Sequence, residues 1–178
     1  DQLEFADLVL VSRADILSQT SLEKIKIKLL DKVRTGTPIL PINHGKVDTE
    51  VVLGLEHTSL CEQNDNHMVD HHHDHNHVQV VSNTLRLEAL IDRKAMEELL
   101  PEMAVLHQIL RLKGRCWFPG KTLPLQIQMV GPRLSSWFEA APESAWKPDI
   151  GGLDLVILSF KNEASEAIRR GIEKCLVI

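Results

Sequence analysis

Five imidazoles and one carboxylate fall within seven residues of this sequence, at His71-His72-His73-Asp74-His75-Asn76-His77, and His67 stands just before them. Neutral imidazole is the commonest protein ligand for zinc, and it also suits copper, nickel and cobalt. Ligands this close in sequence can be offered to one ion by a loop, without a folded cage. The same proximity argues against a closed structural site, whose ligands the fold must hold tetrahedrally. Two blander readings compete. A purification tag sits at a terminus, whereas this run is internal and interrupted by Asp74 and Asn76. A solvated polar linker that happens to be rich in His explains the composition without a metal. On the metal reading the ligands are His67, His71, His72, His73, Asp74, His75 and His77, and the ion is zinc, with cobalt or nickel as alternatives. Composition does not say whether the metal is stored, sensed or delivered.

The elements on either side decide what such a loop hangs from. Leu8 to Val11 is a short continuous apolar run, the pattern of a strand buried on both faces of a parallel sheet. Ser12-Arg13-Ala14-Asp15 follows at its C-terminal end. Thr20-Ser21-Leu22-Glu23 has the capping-box pattern. Leu22, Ile25, Leu29, Leu30 and Val33 then recur at helical spacing up to Gly36. Pro38 to Ile42 is a second apolar strand, followed by the turn Asn43-His44-Gly45-Lys46-Val47-Asp48, and Thr49 to Leu55 suits one short helix. Residues 1–57 therefore read β-α-β-α, a segment of an α/β sheet too small to be a domain. In such sheets ligands sit beyond the carboxyl ends of the strands, so a bound nucleotide would meet residues 12–15 and 43–48.

Residues 58–77 are polar and aperiodic and read as a linker. Beyond them the pattern changes. Val78 to Leu90 is largely extended. A helix over residues 92–100 turns Ala95, Met96, Leu99 and Leu100 inward and is closed by Pro101. Ile109 to Phe118 is a strand, Pro119 to Thr122 a hairpin turn. Leu123, Leu125, Ile127 and Met129 alternate with polar neighbours as a half-buried strand. Residues 135–152, with Trp137, Phe138 and Trp146, read as a long connection. Leu153 to Phe160 is the last strand, and Ala164, Ala167, Ile168, Ile172 and Cys175 share one face of a final helix. The expected order over residues 78–178 is β-α-β-β-β-α, a small α+β domain with an antiparallel sheet and helices on one face.

Bulk composition narrows the function classes. The 178 residues are 43% hydrophobic and carry a net charge of -5. A real core is expected, and nucleic acid is disfavoured as a partner because no basic stripe is visible. Arg111, Lys113 and Arg115 alternate along a strand, which a solvated face explains. Cys61, Cys116 and Cys175 are too few and too far apart for a disulfide framework. A reducing, cytoplasmic setting fits, with no signal peptide, membrane span or membrane partner expected. The chain opens at Asp1 without an initiator Met, which reads as a piece of something longer.

Taken in order, these features resemble the C-terminal part of CobW-type proteins, a group of metal-handling GTPases that includes zinc chaperones. Ser12-Arg13-Ala14-Asp15 stands where that family has a guanine-reading Asn/Ser/Thr-Lys-x-Asp, and Asn43 to Asp48 is similar to its second base-side loop. The His-rich linker, the small C-terminal domain and the strand Leu110-Arg111-Leu112-Lys113-Gly114, similar to the family's Arg-x-Lys-Gly, also fit. The resemblance covers essentially the whole chain. It implies the tail of a P-loop GTPase sheet at 1–57, a His-rich metal-binding linker at 58–77 and a CobW C-terminal-like α+β domain at 78–178. The nucleotide would be GTP in the intact parent, held here by Ser12, Arg13, Asp15 and His44.

Guanine offers an N1–H and an exocyclic amine on one edge, and the Asp15 carboxylate can accept from both; adenine lacks that pair. Arg13 replaces the family's Lys and can stack its planar guanidinium on the base. On local grounds alone, Asp15 would simply cap the turn into the next helix. The family's phosphate loop, magnesium-binding Asp and Cys-x-Cys-Cys motif are not in these 178 residues. No catalytic residue is therefore assigned, and no GTP hydrolysis is expected of this chain alone. The implied role is the downstream part of a GTP-dependent metallochaperone that delivers metal to a client metalloprotein and works with the upstream half of its GTPase domain. The alternatives are a non-enzymatic His-rich metal buffer and an adaptor domain. His44 and His57 also suit plain surface positions, and His107 reads as structural. Trp117, Trp137 and Trp146 suit core or interface roles better than base stacking.

Overall fold

The computed structural model describes residues 2–47, 49–53 and 80–177. At its start two short apolar strands, β1 (Val9–Val11) and β2 (Ile39–Pro41), pair in parallel with Val9 opposite Ile39 and Val11 opposite Pro41. A parallel pair needs a crossover, and α1 (Gln19–Leu30) supplies it. The Ser18 side chain caps this helix by accepting the Ser21 N–H at 3.2 Å, so it begins before the expected Thr20–Glu23 box. It stops at Leu30 rather than running on to Gly36, which takes a left-handed φ of 84° and turns the chain into β2. No residue of α1 is buried, and Ile27 and Leu30 are largely exposed. A five-residue helix, α2 (Thr49–Leu53), follows β2.

The rest of the described chain is β3 (Val81–Glu88), α3 (Arg93–His107), β4 (Ile109–Trp117), β5 (Leu125–Val130), β6 (Arg133–Phe138), β7 (Gly152–Ser159) and α4 (Ala164–Ile172). The five strands form one antiparallel sheet in the order β3-β7-β4-β5-β6. Alternation decides its faces. Leu85, Leu112, Cys116, Leu125, Ile127, Met129, Leu153, Leu155 and Ile157 point to one side. Met96, Leu100, Met103 and Ala104 of α3 and Ala164, Ile168 and Ile172 of α4 cover them. This is the expected α+β layer pair, with both helices on one face.

Two expectations are corrected. The sheet has one more strand than expected: β6 overlaps the start of the stretch read as a connection. Leu134, Ser136 and Phe138 alternate with Arg133, Ser135 and Trp137 opposite β5, and the Ser136 hydroxyl donates to the Glu97 carboxylate at 2.6 Å. The helix α3 also passes through Pro101 instead of ending there. An interior Pro costs about 3 kcal/mol, but stopping at Leu100 would leave Met103 and Ala104 off the core, and their burial offsets it.

The two parts meet through a second apolar cluster of Leu40, Val51, Leu110 and Leu158, joined by Leu8, Ile42, Val47, Val80 and Phe160. A β-bulge between Ile109 and Arg111 breaks the register of β4 with β7. Ile109 and Leu112 therefore face the helices while Leu110 turns to the other cluster. Asp7 is held from both parts, by Arg34 and by Arg133, the latter at 3.0 Å. Backbones also approach closely: a Cβ on Gly131 would lie 2.8 Å from the Pro38 ring.

Candidate functional site

The parallel pairing of β1 and β2 places their C-terminal ends side by side, and the loops that leave them touch. The Ala14 N–H donates to the Ile42 carbonyl at 3.1 Å, and the Ile42 N–H to the Val11 carbonyl at 2.9 Å. After β1 the chain turns at Arg13, in the left-handed region with φ 58°, into a short 3-10 turn at Ala14–Ile16. After β2, Asn43 and Lys46 close a tight turn, with the Lys46 N–H donating to the Asn43 carbonyl at 2.9 Å. His44 and Gly45 both have positive φ, 50° and 71°, which is the type I′ geometry and explains the Gly.

Asp15 crosses from the first loop to the second. Its Oδ1 accepts the His44 backbone N–H at 3.3 Å, and its Oδ2 lies 3.6 Å from His44 Nδ1. Rather than capping its own turn, the carboxylate thus ties the two loops together. A carboxylate has about four acceptor positions, and the long bond to His44 leaves room for two more donors. Ser12 and Arg13 are exposed beside this contact. Ser12, Arg13, Asp15 and His44 therefore lie together beyond the carboxyl ends of β1 and β2, the side on which α/β sheets hold ligands.

The metal-ligand candidates His67, His71, His72, His73, Asp74, His75 and His77 lie outside the described residues, as do His57 and Cys61. Among the described residues no group of three or more His, Cys, Asp or Glu side chains is gathered closely enough to hold a metal ion. Cys116 is fully buried, and burial pushes its thiol up to about 12. Cys175 is also raised, by burial first and then by the negative charge of Asp92, and its Sγ lies 3.6 Å from the Gly171 carbonyl. Metals bind the thiolate, so neither cysteine suits the task. His107 ends α3, where a helix C-terminus favours a basic side chain.

Trp117 is nearly buried and meets Trp146 edge to face at 5.6 Å between ring centroids, with the Arg86 guanidinium over Trp146 at 5.1 Å. This packing fits the structural reading of both rings. Trp137 is partly exposed and donates to Glu139 at 2.7 Å.

One residue escapes the sequence. Alternation assigns Arg111 to a solvated face with Lys113 and Arg115, but Arg111 Nη1 donates to the carbonyls of Val51 and Val52, at 3.4 and 3.2 Å. Burial lowers its pKa. Arg111 keeps the face that alternation gives it; what the strand pattern does not reveal is that α2 covers that face. No helix among the described residues is long and apolar enough to cross a membrane.

Known proteins resemble this chain at several levels. Residues 80–176 match the family described as cobalamin synthesis protein cobW C-terminal domain. A Sinorhizobium protein named zinc chaperone CobW is 25% identical over 177 residues, which are 97% of this chain and 49% of that protein. The zinc chaperone CobW of Pseudomonas aeruginosa is 30% identical over 144 residues, 78% of this chain and 38% of its own length. The chain thus spans half or less of the curated relatives it matches. Among solved structures, the Zn(II)-bound YjiA GTPase from E. coli aligns with 99% of this chain over 54% of its own, at 20% identity and a TM-score of 0.47. A Zn(II)-bound triple mutant of YjiA aligns over the same shares at 21% identity, also with a TM-score of 0.47. The family match runs from the residue before β3 to Leu176, just past a 3-10 turn at Glu173–Cys175 that follows α4, so it takes in the whole five-stranded sheet and both helices that cover it, more than half of the chain. The protein belongs to the CobW family through this C-terminal domain.

Proposed function

We propose that this chain is the C-terminal portion of a GTP-dependent metallochaperone. Residues 1–57 complete the guanine side of a nucleotide site, residues 58–77 carry zinc on the His run, and residues 78–178 meet a client metalloprotein. Cobalt or nickel are the alternative ions. The observation that carries the reading is the Asp15–His44 contact, which joins the two strand-end loops into one rim where a guanine edge would sit. Family membership and the name zinc chaperone carried by the relatives support the metal half. The α/β part is also visibly in need of neighbours. Its two-stranded parallel sheet carries a helix that buries none of its residues, and Phe5, Ile16, Ile27 and Leu30 are each more than half exposed. Parallel sheets are ordinarily covered on both faces, so an upstream half bearing the phosphate loop is the natural partner.

The test is calorimetry with GTP on the chain joined to an upstream half that carries a phosphate loop. Asp15→Asn puts an amide donor where guanine also donates and should cost on the order of 1–3 kcal/mol of binding. Binding equal to wild type removes Asp15 from the base site. The alternative of a metal buffer predicts zinc uptake by the chain with no nucleotide binding in any form.

A further inference from the structure

The segment that follows the guanine-side turn packs against the C-terminal sheet. Val47 comes one residue after the turn and packs in the second cluster; α2 then places Val51, 2% exposed, against Leu110 and Leu158 of the sheet. A five-residue helix leaves most of its carbonyls without intrahelical partners. Arg111 takes two of them, those of Val51 and Val52, with one guanidinium nitrogen. In a regular strand Leu110 and Arg111 would point to opposite faces. The bulge lets both serve the same neighbour, one by packing and one by donating hydrogen bonds. The Gly131 N–H donates to the Leu110 carbonyl at 2.9 Å and steadies the bulge from β5's end.

We propose that the Leu110–Arg111 bulge is the grip by which the C-terminal sheet positions the guanine-side turn, so that docking of the sheet and nucleotide binding are coupled. Arg111 is a positioning residue in this scheme and does not touch the nucleotide. The coupling is reciprocal: a docked sheet tightens nucleotide binding, and bound nucleotide tightens docking by the same factor. The nucleotide half rests on the function proposed above.

Hydrogen exchange on the chain itself tests the grip. Arg111→Met keeps the stem and removes the donors; exchange at residues 43–47 and 49–53 should rise several-fold while β4, β5 and β7 stay as protected as in wild type. Val51→Ala, which loosens the same contact from the other side, should give the same pattern. Unchanged exchange in both variants overturns the grip, and so does a rise spread evenly over the sheet, which would make Arg111 a general stability residue. In the chain joined to an upstream half, Arg111→Met should weaken GDP binding about fivefold or more. If wild type binds GDP and the variant binds it equally, the coupling alone falls. If wild type binds no GDP, the proposed function falls and the coupling with it.

Discussion

Cys116 sits on the helix-facing side of β4 with no exposed surface, and burial pushes its thiol from 9.0 up to about 12. The folded chain therefore binds a proton there that the unfolded chain gives up. Stability from this group is fully present below pH 9 and is lost as pH rises from 9 towards 12. Denaturant melts across that range should show a fall that Cys116→Val largely removes, and iodoacetamide should not label Cys116 in the folded chain at pH 8. Such residues are only partly legible in sequence. Asp15 and His44 stand out because both follow short apolar runs, and strand ends are where α/β sheets hold ligands. Their contact with each other is not legible, because it needs the parallel register of Val11 with Pro41. Arg111 is hidden more thoroughly: alternation gives its face correctly, but only the folded chain brings α2 onto that face, where Arg111 meets the Val51 and Val52 carbonyls.

At the scale of elements, end signals matter less than the face a helix buries. The Asp92 carboxylate accepts the Ala95 N–H at 2.7 Å and starts α3 where the sequence suggests. Asp92→Ala should cost about 1 kcal/mol in a denaturant melt. Pro101 reads as a stop but lies inside the helix, because local propensity is outweighed by core contacts beyond it. Pro101→Ala returns an N–H to the Glu97 carbonyl and should raise the melting temperature by a few degrees; a fall would mean that the ring itself is needed in the packing. The strand β6 was lost to reading for the opposite reason. Ser135-Ser136 looks like a loop, and what makes it a strand is its pairing with β5 together with the Ser136–Glu97 bond, both supplied by distant sequence.

At the scale of the whole molecule, the proposed metal and nucleotide functions fall on different stretches of chain. On the proposed function, metal uptake rests on the His run, whose imidazoles lie close together in sequence. Replacing His71, His72, His73, His75 and His77 with Ala should abolish most zinc binding in calorimetry at pH 7.5. In wild type the binding should fade towards pH 5, because imidazole coordinates only when neutral and its ordinary pKa is about 6.5. Zinc bound with unchanged stoichiometry by the variant would move the site elsewhere.

The strand order β3-β7-β4-β5-β6 also sets a timetable for synthesis. The meander β4-β5-β6 pairs neighbours in sequence and can form as it leaves the ribosome. The strand β3 cannot join it, because among the described residues Val81–Glu88 pairs only with Gly152–Ser159, made some seventy residues later. Until then β3 has no partner and β4 presents an open edge, the surface on which nascent chains aggregate. Closure of the sheet waits for β7, which fills the gap from both sides at once, and α4 follows it directly to cover the core. A chain stopped before Gly152 would hold three paired strands and one stranded one, with α3 but not α4 available to cover their apolar faces.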